Sequence, residues 1–201
     1  GSCMVACGDA DAMVTGNTRR YGQSLQKIIK VVDPRPGEIM FGLNMVVNKG
    51  RTVFIGDTSV HEYPTSKQLA EIAISSARVV RLFGFTPKIA FLSHSTFGQP
   101  MTSRTKHIRD AVEILKKMKV DFKFDGDMQP DVALNDEYKE LYPLSDIVGN
   151  ANVLIMPGQH SAAISYKIMK SMSSAKVIGP LLIGLGAAIE IAPLRLSLIH
   201  I

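Results

Sequence analysis

Arg51-Thr-Val-Phe-Ile-Gly-Asp57, the loop Thr58-Ser-Val-His-Glu-Tyr-Pro64, the segment from Thr65 to Phe83, and Lys88-Ile-Ala-Phe-Leu-Ser93 together decide the fold. The first segment reads as a buried strand that ends in polar residues, and the loop after it carries His61 and Glu62. Leu69, Ile72, Ala73, Ser76, Val79, Val80 and Phe83 recur at spacings of three and four, which is one face of a helix. Thr65 with Gln68 three residues on makes a capping box. Gly84 stands where a left-handed residue closes a helix. Lys88 to Ser93 is a second buried strand that runs into His94-Ser95-Thr96-Phe97-Gly98. The order is that of a βαβ unit, and ligands bind at the carboxyl ends of strands in open α/β sheets.

The same alternation extends in both directions. Residues 41–47 and 51–56 read as strands joined by Asn48-Lys49-Gly50, a hairpin connection. Downstream, a helix over 105–118 buries Ile108, Ala111, Val112 and Leu115. A strand at 121–125, a helix starting near Pro130, a strand at 151–156, a helix at 161–171 and a strand at 175–183 follow. Upstream, a short strand at 12–14 ends in Thr15-Gly16. A helix over 24–32 then aligns Leu25, Ile28, Ile29 and Val32. Asp33-Pro34-Arg35-Pro36-Gly37 stops it, because the residue before a proline is pushed out of the helical region, and this stretch marks a domain crossing. Strands that are apolar on both faces and alternate with helices predict a three-layer α/β fold, a mainly parallel sheet covered on both sides.

Bulk composition narrows the function. Apolar residues make up 46% and charged residues 20% of 201, which is a globular rather than a disordered balance. The net charge is +5, and a basic excess points to nucleic acid or membranes only when it is clustered. The densest cluster, Lys116-Lys117-Met118-Lys119, falls at the end of a predicted helix, where cations complement the dipole. A solvated helix end and a basic groove for an anionic nucleotide both remain open there. With no tryptophan and no aromatic–basic interleaving, no nucleic-acid partner is expected. No apolar run reaches the ~20 residues that span a bilayer, so no membrane partner is expected either. Cys3 and Cys7 form neither a disulfide framework nor a zinc set, and read as two buried thiols on one helix face in a reducing cytoplasm. The chain opens on Gly1-Ser2 without methionine or a signal-peptide pattern, which reads as a piece of a longer polypeptide.

Ser93-His94-Ser95-Thr96 places hydroxyls and an imidazole at a strand's carboxyl end, where they suit phosphate or carboxylate oxygens or simply cap the next turn. A Ser93–His94 nucleophile pair is disfavoured, because neighbours on a strand face opposite ways and no G-x-S-x-G elbow exists. Asp57, His61 and Glu62 come from one loop without the converging ligands and outer support of a metal site, so hydrogen bonding within the loop is expected instead. Gly184-Leu185-Gly186-Ala187-Ala188-Ile189 is not a dinucleotide fingerprint: its last position is Ile, and too little chain follows.

The residues so far assembled resemble the phosphate acetyl/butyryl transferase family. They resemble more closely the phosphotransacetylase-like C-terminal domain of bacterial NADP-dependent malic enzymes. The runs that carry the resemblance include Gly8-Asp-Ala-Asp-Ala-Met-Val-Thr-Gly16, Gly50-Arg-Thr-Val-Phe-Ile-Gly-Asp57, Val60-His-Glu-Tyr-Pro-Thr65 and Phe91-Leu-Ser-His-Ser-Thr-Phe-Gly98. Phe124-Asp-Gly-Asp-Met128, Ala151-Asn-Val-Leu-Ile-Met-Pro157 and Val177-Ile-Gly-Pro-Leu-Leu-Ile-Gly184 continue it. The resemblance implies a two-domain architecture like that of isopropylmalate dehydrogenase, here truncated. Residues 38–179 would be the inserted second domain, and 1–37 and 180–201 parts of the first. It implies Thr15, Gly16, Ser95 and Thr96 as cleft residues toward a coenzyme A type of ligand, and no metal site.

The departures from the family pattern matter as much. A Ser-Arg pair that neutralises the acyl-phosphate transition state would fall at Pro193 and Leu194, and the aspartate that takes the thiol proton at His200. A substrate-binding arginine would fall at Gln26. That chemistry needs fixed positive charge on the phosphate and developing oxyanion, which Pro, Leu and Gln cannot supply. Arg195 lies one residue from the arginine position. The tail Leu196 to Ile201 resembles neither branch. The resemblance therefore implies a regulatory fragment without catalytic residues. It would take acetyl-CoA or CoA as effector and aid homo-oligomerisation in the cytoplasm. NADP and a divalent metal would belong to a parent region that oxidatively decarboxylates malate to pyruvate. An active phosphate acyltransferase moving acetyl between CoA and phosphate, and a pure scaffold, are the competing readings.

Overall fold

A computed structural model describes residues 1–193. The chain forms α1 (Ser2–Cys7), β1 (Ala12–Gly16), α2 (Tyr21–Ile28), β2 (Phe41–Asn48), β3 (Arg51–Gly56), α3 (Ser66–Leu82), β4 (Lys88–Leu92) and α4 (Ser103–Met118). It continues with β5 (Lys123–Met128), α5 (Pro130–Leu134), a 3₁₀ turn at Asp136–Tyr138, β6 (Val153–Ile155), α6 (Gln159–Met172), β7 (Lys176–Ile183) and β8 (Ala188–Ala192).

Six strands make one sheet in the order β5-β4-β6-β3-β2-β7. β4 pairs in parallel with β5 and β6, and β6 in parallel with β3. β2 runs antiparallel to β3 and β7. The two-residue periodicity of a strand explains why this sheet is covered on both sides. Phe54, Ile89, Phe91, Val153 and Ile155 point to a core under α3 and α4. Their neighbours Ile55, Ala90, Leu92, Leu154 and Met156 point to a second core under α5 and α6. The predicted three-layer arrangement with a mainly parallel sheet is therefore the observed one.

Local chemistry accounts for the element ends. Asn48 pairs with Arg51 as the last residue of β2, so the hairpin loop is only Lys49-Gly50. Both loop residues have positive φ, 47° and 79°, which a tight turn matched to strand twist requires. At α3, Thr65 Oγ1 accepts from Gln68 N and the Gln68 side chain accepts from Thr65 N. Replacing Thr65 by alanine should cost about 1 kcal/mol in urea unfolding, the usual effect of losing such a cap. α4 begins two residues earlier than its apolar periodicity suggests, because Thr102 and Thr105 form a second reciprocal cap. The strand expected at 121–125 sits at Lys123–Met128 and carries Asp127 into the sheet's end.

A two-stranded parallel sheet, β1 with β8, lies apart from the large sheet. Leu25, Ile28 and Val32 pack with Leu182, Leu185, Ile189 and Ile191 to give this smaller lobe its own core. β7 runs in the large sheet through Ile183, past the boundary expected at residue 180. The buried-thiol expectation fails: Cys3 and Cys7 are both exposed. The helix that holds them has six residues and buries none fully, because β1 gives it little surface to pack on and only Val5 reaches the small core. Among the described residues no helix is long and apolar enough to cross a membrane.

Candidate functional site

Two strand ends carry buried carboxylates, each directly after a glycine. Asp57 follows β3 and is 1% exposed. Its Oδ1 accepts from the main-chain N–H groups of Gly42, Ser59 and Val60. Its Oδ2 accepts from His61 N and pairs with His61 Nδ1 at 2.7 Å. One carboxylate thus shapes the whole 57–61 loop, the hydrogen-bonding role expected for it. Glu62 turns instead to His160, 3.2 Å away, so Asp57, His61 and Glu62 do not converge on one point. Among the described residues no three metal-ligating side chains do so.

Asp127 plays the corresponding part at β5. Ser95 Oγ donates to its Oδ2, while its Oδ1 is buried without a hydrogen-bond partner, 3.9 Å from the Arg109 guanidinium. Ser95 is fully buried and its hydroxyl is spent on this contact. Thr96 Oγ1 accepts from Gln129 N and lines a recess of about 460 Å³ with Phe97, Gln99, Tyr138 and Tyr142. Thr15 and Gly16 stand elsewhere, at the end of β1 in the small lobe. Gly16 has φ of 108°, and a Cβ there would meet Ala192 O at 2.1 Å, so close pairing with β8 needs glycine. Among the described residues, no hydrogen bond joins the Thr15–Gly16 end to the Ser95–Thr96 loop.

Polar groups do gather at the junction of the lobes, where α2 follows the Thr15–Gly16 end. Among the described residues, Tyr21 Oη, Ser24 Oγ and Asn44 Nδ2 are buried there without a partner in good hydrogen-bond geometry, although Ser59 lies near Tyr21 and Tyr166 near Asn44. Buried polar atoms are rarely left so, and orphans in one neighbourhood mark a place for a polar ligand or water. Thr58 links them, lying 3.5 Å from Asn44 Oδ1 and 3.4 Å from Ser59 Oγ. Burial pushes the Tyr21 phenol up to about 12; the nearby Ser59 hydroxyl opposes this, and the Glu190 and Asp57 charges add to it. Burial also raises the Tyr166 phenol, against the Asn44 side chain.

On β8, burial raises the Glu190 carboxyl above the usual 4.5, partly offset by the Leu182 N–H that it accepts at 3.1 Å. A raised carboxyl favours the protonated folded state. Its contribution is complete below the ordinary glutamate range and is lost as pH rises through the folded value. Glu190→Gln should therefore raise the urea midpoint at neutral pH and leave it unchanged well below 4.5. Equal shifts at both pH values would show that charge is not the cause.

A larger cavity, about 590 Å³, opens over the carboxyl end of β6. Three loops wall it: residues 62–64 after β3, the first turns of α4, and 157–161 after β6. These follow three neighbouring strands, so the cavity occupies the carboxyl-end position expected of a ligand site in such sheets. Its polar wall includes Arg104, His107 and His160, none of which the sequence motifs singled out. The one available signal was the spacing of Arg104 and His107, three residues apart across the start of the helix predicted from 105.

Comparison with known proteins agrees with this architecture. A family model described as phosphate acetyl/butaryl transferase matches residues 1–194. The chain belongs to the phosphate acetyl/butaryl transferase family. It is 47% identical over 189 residues to the NADP-dependent malic enzyme of Rhizobium meliloti, covering 94% of this chain and 25% of that protein. It is 35% identical over 193 residues to the phosphate acetyltransferase of Clostridium acetobutylicum, covering 91% of this chain and 58% of that one. A phosphotransacetylase from Streptococcus pyogenes superposes with a TM-score of 0.88 at 30% identity, over 94% of this chain and 59% of that chain. The chain thus spans about a quarter of the malic enzymes that it matches.

The family pattern can now be set on the fold. Gln26, where the resemblance leads one to expect a substrate-binding arginine, is on the exposed side of α2 next to buried Leu25. Pro193, where the resemblance leads one to expect the serine of the Ser-Arg pair, is exposed after β8. Leu194, Arg195 and His200 lie outside the described residues.

Proposed function

We propose that this chain is the regulatory, catalytically silent acyltransferase-like part of an NADP-dependent malic enzyme, a cytoplasmic homo-oligomer in which acetyl-CoA or CoA acts as effector. The parent would oxidatively decarboxylate malate to pyruvate. Its NADP and divalent metal are assigned to polypeptide outside this chain. The observation that carries the reading is one of charge. Gln26 and Leu194 fall at the places that the family resemblance assigns to arginines, and Pro193 at the place of the serine beside the second of them, so neither expected cation is present in the sequence. The lobe junction adds a half-buried acid, Glu190, beside Tyr21. An acyl phosphate brought there would meet like charge rather than the fixed positive charge that its transition state needs.

Thiol release from acetyl-CoA in the presence of inorganic phosphate should therefore be at background in the full-length polypeptide, while calorimetry with acetyl-CoA should show saturable binding. Robust turnover would establish the alternative, an active phosphate acyltransferase, which the likeness to the Streptococcus pyogenes phosphotransacetylase favours. An absence of binding would leave only a scaffold that holds subunits together.

A further inference from the structure

We propose that the cavity over the carboxyl end of β6 is a nucleotide site, with Arg104 binding a phosphate monoester and Tyr63 stacking on the base. The inference goes beyond the regulatory reading and does not require it.

Arg104 is the first support. It lines the cavity and has no carboxylate partner among the described residues, whereas Arg78, Arg81 and Arg109 each have one. Its backbone is rigidly placed. His107, one turn on, donates from Nε2 to Pro64 O at 2.7 Å and meets Ser66 Oγ through Nδ1 at 2.9 Å. Ser66 Oγ in turn donates to His107 O at 2.8 Å. These bonds tie the start of α4 to the loop on the facing wall, so the mouth keeps its shape. An unpaired guanidinium on a fixed wall suits an oxyanion with several oxygens, for which its fork geometry is made.

The main chain adds donors among the lining residues. The cap of α4 uses Thr105 N, leaving the N–H groups of Ser103 and Arg104 without an acceptor among the described residues. α6 has 14 residues and no side-chain cap, and the N–H groups of His160 and Ser161 are similarly free. Glu62 is the acid among these lining residues, and it pairs with His160 rather than with Arg104. Arg104 is thus left to meet an anion.

Size and surface set the ligand class. At about 590 Å³ the cavity matches sites for drug-sized ligands and is far too large for a lone phosphate. Pro64, Ile108 and Pro157 give it apolar wall, and the Tyr63 ring stands 77% exposed at its edge. A planar base stacked on that ring, with its phosphate on Arg104, would use both kinds of surface. The phosphate monoester could belong to a free nucleotide or to the nucleotide end of an acyl-CoA.

Calorimetry on the chain with AMP, adenosine 3′,5′-bisphosphate, inorganic phosphate and acetyl-CoA tests this. At least one of the two nucleotides should bind. Arg104→Ala should weaken that binding at least tenfold, the effect of one charge-assisted phosphate contact. Tyr63→Ala should weaken nucleotide severalfold and leave inorganic phosphate unchanged. Both side chains are exposed, so thermal melts of the variants should match the parent chain. No nucleotide binding, or nucleotide affinity indifferent to Arg104→Ala, overturns the site. Inorganic phosphate binding as tightly as nucleotide overturns the nucleotide assignment. Parallel loss of acetyl-CoA binding in Arg104→Ala identifies the thioester's nucleotide end as occupant, and loss of AMP binding alone identifies a free nucleotide. If acetyl-CoA leaves malate turnover of the full-length polypeptide unchanged, the regulatory reading fails while the nucleotide result still stands.

Discussion

Asp57→Ala is expected to lower the unfolding free energy by about 3–5 kcal/mol, read as a fall in the urea midpoint at unchanged slope. The carboxylate serves four main-chain N–H groups and one imidazole. At 1% exposure, water cannot take its place without opening the loop. Each buried donor left without an acceptor costs about 1–3 kcal/mol, and partial opening of the loop keeps the total below the sum. Asp57→Asn keeps one acceptor oxygen, which can serve the Oδ1 group of donors or the Oδ2 group but not both. About half the loss is expected. The same substitution should loosen Ser59 at the lobe junction and Glu62 at the cavity. A loss under about 1 kcal/mol for the alanine variant would mean that the loop holds its shape by other contacts.

Phe54→Ala should cost about 4 kcal/mol, the usual price of deleting a buried aromatic ring. Phe54 is fully buried on β3, with the Phe83 and Phe85 rings each 5.7 Å away. Those two rings close α3 back onto the sheet, so the cavity would open where helix and strand meet. Domains of this kind have about 5–15 kcal/mol in total, so the variant is expected to populate unfolded chain at room temperature. Phe54→Leu, which fills most of the space, should cost only about 1–2 kcal/mol and keep the measurement on scale. Equal costs for the two variants would show that packing against the rings is not the cause.

The βαβ unit from Arg51 to Leu92 was legible because its signals are local. Helical spacing, a cap and a closing glycine lie within one window, and two-faced apolar strands announce coverage on both sides. The Lys49-Gly50 turn was legible to within one residue for the same reason. The family runs were legible because they are spread in order along the chain. The exposed Cys3 and Cys7 were not, since an apolar run does not reveal how little surface its neighbours offer. The Ser95 hydroxyl illustrates the same gap. Its position at a strand end is written in the sequence, but its partner Asp127 is 32 residues away and becomes one only when β4 and β5 pair.

By itself the sequence determined the fold class, the order of elements, the capped and hairpin ends, and membership of the acyltransferase family. These depend on interactions among residues close in the chain or on a pattern repeated along it. Only the tertiary structure decided which polar groups meet. Tyr21 and Glu190, 169 positions apart by their numbers, are brought together by the packing of α2 on β8. Arg104, Tyr63 and His160 share one cavity because three strands from separate parts of the chain end side by side. Such encounters arise from long-range packing, which one-dimensional spacing does not encode.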